Sequence, residues 1–158
     1  MKSISKTQNP NMGGSTLLYI TLASIINQMS APVLNKITDN ITFTSGHWYK
    51  WPVLLQSIDV SVERKARIYD NKFSFFIPGH TDEITDMLAN IPQDKSIVVM
   101  RKDSNGLYKL CGSKKFPLSF AFTQESPPKF NNIKGYSINI AGTTLHPELT
   151  YSGTIQLT

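Results

Sequence analysis

Three histidines and one cysteine are the side chains of this 158-residue chain best suited to metal or covalent chemistry, and their spacing brings none of them together. His47, His80 and His146 each stand in a turn-like context, without the His-x3-His or His-Glu-x2-His spacing that directs two imidazoles at one metal ion. A single cysteine, Cys111, excludes an internal disulfide and a cysteine-based zinc cluster. We therefore predict no metal site, three separate loop histidines, and a buried strand position for Cys111.

Signals of catalysis are equally sparse. The Gly-x-Ser-x-Gly pattern of a serine nucleophile is absent, and Gly13-Gly14 lacks the Lys-Ser/Thr that completes a phosphate-binding loop. Asp82, Glu83 and Asp86 have the spacing of a solvated helix face, which accounts for them without an acid/base pair. The sequence predicts no enzyme and no cofactor.

Basic residues interleaved with aromatic ones give the remaining site signal. The net charge is +5, and the excess lies in the second half, where eight Lys and Arg face four acidic residues from Pro92 onward. Such residues can hold a phosphate backbone while a ring stacks on a base, but lysines also protect strand edges, and tryptophans often anchor cores. The candidate surface patch consists of Trp48, Tyr49, Trp51, Arg101, Lys102 and Lys109.

The length suits one domain, which we place at residues 16–158 behind a flexible, polar arm at 1–15. The apolar stretch Thr16–Leu34 is too polar for a membrane span, because Asn27, Gln28 and Pro32 would lie in hydrocarbon. It carries both strand and helix periodicity, and its Tyr, Ile and Thr content favours a strand at about Leu17–Ile25. No membrane partner is predicted.

Alternation from Val53 to Ile77 predicts a long β-hairpin, with its turn either near Glu63–Ala66 or at Tyr69–Lys72. The period then changes: an apolar stripe at 84, 87, 88 and 91 predicts a helix over about 81–91, with Thr81 as its cap.

A second hairpin joins Ile97–Lys102 to Leu107–Cys111, where Asn105 and Gly106 can supply the positive φ of a tight turn. Further strands are predicted at Pro117–Phe122, Gly135–Ile140 and Thr150–Leu157. The expected fold is mainly β: a β-sandwich or partly closed barrel of seven to nine mostly antiparallel strands with one short packed α-helix.

Four motifs together carry a family resemblance over roughly Val53 to Pro147. They are the strand Ile58–Glu63, the run Asp-x-Asn-Gly-x-Tyr-x-Leu-x-Gly at 103–112, Pro117-Leu118, and the late Gly-Tyr-x-x-x-x-x-Gly at 135–142. In this order they resemble small tail or neck structural proteins of tailed bacteriophages that infect gut Bacteroidetes. The shared residues are mostly of turn and core types, and no catalytic residue is carried over.

The resemblance implies a virion protein, present in the host cytoplasm during assembly, that forms a ring or tube with copies of itself beside other tail or portal-side proteins. Cyclic assembly would pair exposed strand edges. The candidate contact is the long hairpin, with Ile58, Val60, Val62, Arg67, Tyr69, Phe73 and Phe75. DNA would be passing cargo, so the lysines of 96–115 are expected to face outward or pair with acids, because positive charge lining a channel would trap the duplex. The alternative is a stand-alone β-domain that binds nucleic acid or carbohydrate through the candidate surface patch.

Overall fold

The computed structural model of the chain describes residues 15–53, 57–91, 96–125 and 134–157. Within them lie twelve strands, one α-helix and a single 3-10 turn at Ala23–Ile25. The strands are β1 Ser15–Leu22, β2 Ile26–Gln28, β3 Lys36–Ile37, β4 Thr42–Phe43, β5 Tyr49–Lys50, β6 Asp59–Lys65, β7 Ile68–Pro78, β8 Ile97–Asp103, β9 Tyr108–Cys111, β10 Ser119–Glu125, β11 Gly135–Thr144 and β12 Leu149–Tyr151, with helix α1 at Asp82–Ala89.

Two sheets make up most of the fold. The central sheet has six strands in the order β3-β12-β9-β8-β1-β5, and the outer sheet has four in the order β10-β11-β7-β6. A small β2-β4 pair stands apart. Neighbours are antiparallel except β12 and β3, which run parallel. The predicted mainly-β, sandwich-like fold with one helix is confirmed, and no sheet closes into a barrel in the part of the chain that the structure describes.

The strand count exceeds the expected seven to nine because three strands, β3, β4 and β5, are only two residues long. Segments this short carry no recognisable alternation, so their pairing is decided by distant partners. The last strand is also shorter than predicted: β12 ends at Tyr151, whereas the sequence suggested a strand to Leu157.

The central sheet is buried on both faces, which explains the uninterrupted apolar run at the start of β8. Ile97 and Val99 pack toward the outer sheet with Phe73 and Ile138, in the first core. Val98 and the neighbouring Met100 point the other way, into a second core beneath the segment 26–48. A strand that is buried on both faces has a continuous apolar sequence instead of alternating apolar and polar residues.

The N-terminal apolar stretch is a strand, as expected, but only to Leu22, after which the 3-10 turn begins. Leu18 and Ile20 face the first core while Tyr19 faces the second, so all three are buried. The predicted flexible arm falls on residues 1–14, which lie outside the described residues, and on Ser15, where the prediction is wrong. Ser15 is a buried β1 residue, and the Arg101 guanidinium donates a hydrogen bond to its hydroxyl.

The predicted helix is confirmed with a shorter span. The Thr81 hydroxyl accepts a hydrogen bond from the Ile84 amide at 3.3 Å, the capping role expected for it. The helix ends at Ala89, with Asn90 as its C-cap, two residues before the predicted end. Leu88 is fully buried against the outer sheet's core, so the apolar stripe is what holds the helix. No helix of the described residues is long and apolar enough to cross a membrane.

The hairpin of β8 and β9 forms where the sequence predicted it. The Asp103 carboxylate accepts hydrogen bonds from the amides of Asn105 and Leu107, at 3.0 and 2.9 Å. Within this turn, Gly106 takes a positive φ of 83° and Asn105 does not, so the expectation for Asn105 was wrong. A type I turn followed by one left-handed residue closes the hairpin and needs only one such position.

Candidate assembly interface

Both outer strands of the outer sheet have an edge with no strand partner among the described residues. One is β6, which pairs with β7 along its full length from Asp59 to Lys65 and with no other strand in the described part of the chain. The other is β10, which pairs with β11 from Ser119 to Glu125. Each edge strand is seven residues long. Exposed edges of this length present rows of free backbone groups to a further strand.

The β6/β7 hairpin is closed by the two-residue turn Ala66-Arg67, between paired Lys65 and Ile68. The turn therefore overlaps the first predicted site, Glu63–Ala66, at Ala66, whereas the second, Tyr69–Lys72, is part of β7. Ala66 takes a positive φ of 54°, and Lys65 forms ion pairs with Asp70 at 2.7 Å and Glu63 at 3.8 Å. Only the Lys65–Asp70 pair joins β6 to β7, because Glu63 lies on the same strand as Lys65.

The predicted contact residues divide between surface and interior. Arg67 is exposed at the turn, Val62 is 37% exposed, and Ile58, Val60 and Tyr69 are half-buried. Phe73 and Phe75 are only 1% and 4% exposed, so they belong to the chain's own core and are withdrawn as contact residues. Both rings lie on the face of β7 that packs in the first core, against residues of the central sheet such as Ile97 and Val99, which is why they are unavailable to a neighbour.

The second open edge, β10, was missed as an interface. From Ser119 to Gln124 it carries no charge and no proline, the two features that most often protect a free edge. Ala121, Thr123 and Gln124 are exposed. The sequence did contain this signal, as an uncharged alternating strand, but whether a strand lies at an edge is decided by the sheet order.

The candidate surface patch is contradicted for both tryptophans. Trp48 is 1% exposed in the second core, with Phe43 edge-on at 5.9 Å between ring centroids. Trp51 is 4% exposed in the first core, between Phe75 and Phe120 at 6.0 and 5.7 Å. The central sheet separates the two indoles because its two faces feed different cores.

Tyr49 is the one aromatic residue of that patch on the surface, 47% exposed and 4.6 Å from the His47 ring. The short strand β5, which contains Tyr49, pairs with β1 at the border of the central sheet. This position turns the tyrosine outward while its two tryptophan neighbours in sequence point inward.

All three basic residues of the patch are already engaged within the chain. Arg101 forms a bidentate ion pair with Glu148, with Nε–Oε1 and Nη2–Oε2 distances of 2.7 and 2.6 Å. Lys102 lies 5.4 Å from the centre of the Tyr108 ring, and Lys109 donates a hydrogen bond to Thr150. The Glu148 hydrogen bonds hold the pKa of Arg101 above its usual value. The arginine of the patch is therefore paired with an acid of its own chain.

The side chains considered first for chemistry are dispersed. Cys111 is buried in β9, as predicted, and burial raises the pKa of its thiol far above the usual value. The His80 ring nitrogen lies 2.9 Å from the Gly135 carbonyl, and His146 is exposed. No group of three potential metal ligands occurs in residues 15–53, 57–91, 96–125 and 134–157.

The glycines of the motifs identified above act in turns and close packing. Gly106 supplies the positive φ of the β8/β9 turn. A Cβ atom at Gly135 would overlap the Ile77 carbonyl oxygen and the Phe76 ring, since β11 and β7 approach closely there. These residues specify the fold and contribute no reactive group.

A cleft of about 510 Å³ lies between the segment 27–32, the loop after β9 and the loop before β12. Its floor is apolar, with Met29, Leu110 and Leu149, and the exposed Lys114 and Lys115 stand on one wall. The sequence gave no signal for this cleft, because three distant segments form it.

Comparisons with protein-family models, with curated proteins and with solved structures found no match to this chain.

Proposed function

We propose that this protein is a structural subunit of a phage tail or neck, and that it builds a ring or tube by pairing strand edges between copies. The motif order at 58–63, 103–112 and 135–142 supports the virion role through its resemblance to tail and neck proteins. The observation that carries the assembly mode is the pair of open, seven-residue edges on opposite sides of one sheet.

An even number of strands makes this sheet extensible in either of two ways. Its four strands alternate in direction, so β10 and β6 run opposite to each other. A second copy in the same orientation can therefore set its β6 against β10 with antiparallel geometry. Two copies related by a two-fold axis can instead pair like with like. Both arrangements remove the free edges that a lone molecule leaves to water.

Low surface charge is consistent with a chain whose surface is covered by neighbours. Charged residues make up 17% of the sequence, against roughly 25% in typical soluble proteins. Apart from Glu125, no β10 residue is charged, and Val62 stays partly exposed on β6. In the assembly, these edges become interior strands of a continuous sheet.

The proposal is tested by the mass and shape of the purified full chain over a wide concentration range. Multi-angle light scattering should give a mass of several copies that rises with concentration, and electron microscopy of the same sample should show closed rings or short tubes. A matched variant, Ala121→Lys, places a charge in the middle of β10 without touching the core and should lower the assembled fraction. A wild-type protein that remains a monomer at every concentration, alone and with the tail or portal-side proteins of its particle, contradicts the proposal.

A stand-alone domain that binds nucleic acid or carbohydrate is the second candidate. Burial of Trp48 and Trp51 removes the stacking surfaces on which it depended, and exposed lysines such as Lys114 and Lys115 are the observation that favours it. It predicts a monomer whose affinity for a single-stranded oligonucleotide falls steeply as salt rises from 50 to 200 mM. Assembly without salt-sensitive nucleic-acid binding supports the first proposal.

A further inference from the structure

We infer that the free edge of β6 pairs with β6 of a second copy, antiparallel and centred on Val62. The inference rests on the proposed function, since it assumes self-assembly, and it names which edge meets which. It comes from the order of charges along β6, Asp59-Val-Ser-Val-Glu-Arg-Lys65. When this strand is aligned with β6 of a second copy running in the opposite direction, the acidic residue at its start lies across from the basic residue at its end.

The register centred on Val62 joins opposite charges. It sets Asp59 directly across from Lys65 of the second copy, and the two-fold axis repeats that contact. Ser61 then lies across from Glu63, and Val62 lies across from its own counterpart. Opposite charges directly across an antiparallel pair are favourable, and like charges are unfavourable.

Neighbouring registers are less favourable, because they bring like charges together or reverse the face of one sheet. A slip of two residues in one direction places Asp59 across from Glu63, and a slip in the other direction places Glu63 across from Glu63. Each of these puts like charges directly opposite. A slip of one residue turns the half-buried Val60 toward the solvent face of the partner sheet. The charges therefore select one register.

The backbone groups available on this edge fit the same register. Lys65 and Ile68 flank a two-residue turn, so their backbone groups bond each other across the hairpin. Because bonding alternates along an antiparallel strand, the amides and carbonyls of Val60, Val62 and Arg64 point to the free edge. Val62 then forms the central hydrogen-bonded pair with its counterpart, about 5.5 Å apart between Cα atoms.

Pairing also covers the apolar surface that β6 leaves open. Val62 is 37% exposed on the inward face of the outer sheet. In the two-fold pair, the two Val62 side chains lie side by side, on the face that packs toward each copy's first core. The pair of outer sheets becomes one eight-stranded sheet, twice the four strands of a single copy.

The competing partner for β6 is β10, which is less complementary to β6 in charge. Ser119 to Gln124 carries no charge to meet Lys65 or Asp59. In the full-length antiparallel register, Glu125 lies across from Asp59, which is a like-charge pair. Pairing of β6 with itself leaves β10 free for a second contact. In a closed ring, β6 would pair with β6 of one neighbour and β10 with β10 of the other. Such a ring holds an even number of copies, because neighbouring copies alternate in direction.

The test is disulfide trapping of the full chain with Val62→Cys. Two cysteines at this position should form an intermolecular disulfide on mild oxidation, because 5.5 Å lies within the Cα separation that a disulfide spans. Native Cys111 is buried and does not compete. The matched control is Ser61→Cys, an adjacent and also exposed position whose two copies lie roughly 8 Å apart between Cα atoms, beyond disulfide reach.

A second measurement uses charge at the same exposed position. Ser61→Glu places a glutamate across from Glu63 twice in each dimer, and Ser61→Lys places a lysine there instead. Sedimentation should show the dimer dissociation constant raised about two- to thirty-fold by the first variant and lowered by the second. Equal effects of the two variants overturn the inference.

The outcomes of the two proposals can be told apart. Dimers trapped by Val62→Cys but not by Ser61→Cys support the inference. A protein that assembles, yet gives no Val62→Cys disulfide or gives one only with Ser61→Cys, overturns the inference and leaves the proposed function standing. A trapped dimer that never grows into larger particles keeps the inference and contradicts the ring.

Discussion

Removal of the Glu148 carboxylate should destabilise the fold more than removal of any exposed acid. In Glu148→Ala, the Arg101 guanidinium keeps its charge but loses both of its short hydrogen bonds to the carboxylate, at 2.7 and 2.6 Å. The side chains of Arg101 and Glu148 are 15% and 13% exposed, so water cannot fully replace the lost partner. What remains is a mostly buried positive charge that has lost its paired carboxylate and keeps only the smaller electrostatic attraction of Asp103.

The expected cost follows from this burial. Breaking a buried ion pair by removing one partner costs about 3–5 kcal/mol. Because both side chains retain slight exposure and Ser15 still accepts one hydrogen bond from Arg101, the low end, about 3 kcal/mol, is expected here. For a chain of this length, that corresponds to a melting temperature lowered by roughly 6–12 °C.

Urea denaturation followed by tryptophan fluorescence measures this change, since Trp48 and Trp51 are both buried in the folded chain. Asp86→Ala, an exposed acid on α1, is the matched control and should change the free energy of unfolding by less than about 0.5 kcal/mol. The double variant Arg101→Met with Glu148→Leu removes the charge together with its partner and should recover most of the loss. A Glu148→Ala cost below about 1 kcal/mol, or a double variant as unstable as the single one, would refute the reasoning.

Three further predictions concern the cores and turns. Trp51→Ala should cost about 3–5 kcal/mol by urea denaturation, whereas Tyr49→Ala should cost under about 1, because only the first ring fills the core; similar costs would contradict that placement. The folded Cys111 thiol should resist a thiol reagent at pH 8 and react on unfolding. Because burial raises its pKa, only the unfolded thiol ionises above about pH 9, so the free energy of unfolding should fall by up to about 1.4 kcal/mol per pH unit there; Cys111→Ala should flatten this slope. Leu34 has a φ of 49° and is 91% exposed, so Leu34→Asn should stabilise the fold by about 0.5–1 kcal/mol, measured by thermal unfolding. A loss of stability would show that the Leu34 side chain makes a contact worth more than its backbone strain.

Where the structure of a segment depends on residues close to it in the sequence, the sequence was sufficient to predict that structure. The cap by Thr81 and the apolar stripe ending at Leu88 identified α1, and Gly106 marked the turn of the β8/β9 hairpin. These features depend on hydrogen bonds and backbone angles within a few residues, which the local sequence encodes. Cys111 was predicted to be a small buried residue within a strand, and it is buried in β9.

Where burial depends on which sheet face a strand presents to which neighbour, the sequence was not sufficient. Trp48 and Trp51 are three positions apart in sequence yet lie in different cores, and the aromatic cluster looked the same whether buried or exposed. Phe73 and Phe75 alternate as contact residues would, and only the packing of that face of the outer sheet against the central sheet buries them. Periodicity identifies the faces of a strand but not what covers each face.

The chain's sequence by itself determined that it forms alternating strands, one capped helix and turns at fixed positions. Only the tertiary structure decided the order of those strands, and with it which two of them form the open edges of the outer sheet. The physical reason is the range of the interactions. Turns and caps involve residues a few positions apart, whereas β3 meets β12 across most of the chain and β1 meets β8 across about half of it. Those pairings are selected by how both faces of the central sheet become buried at once.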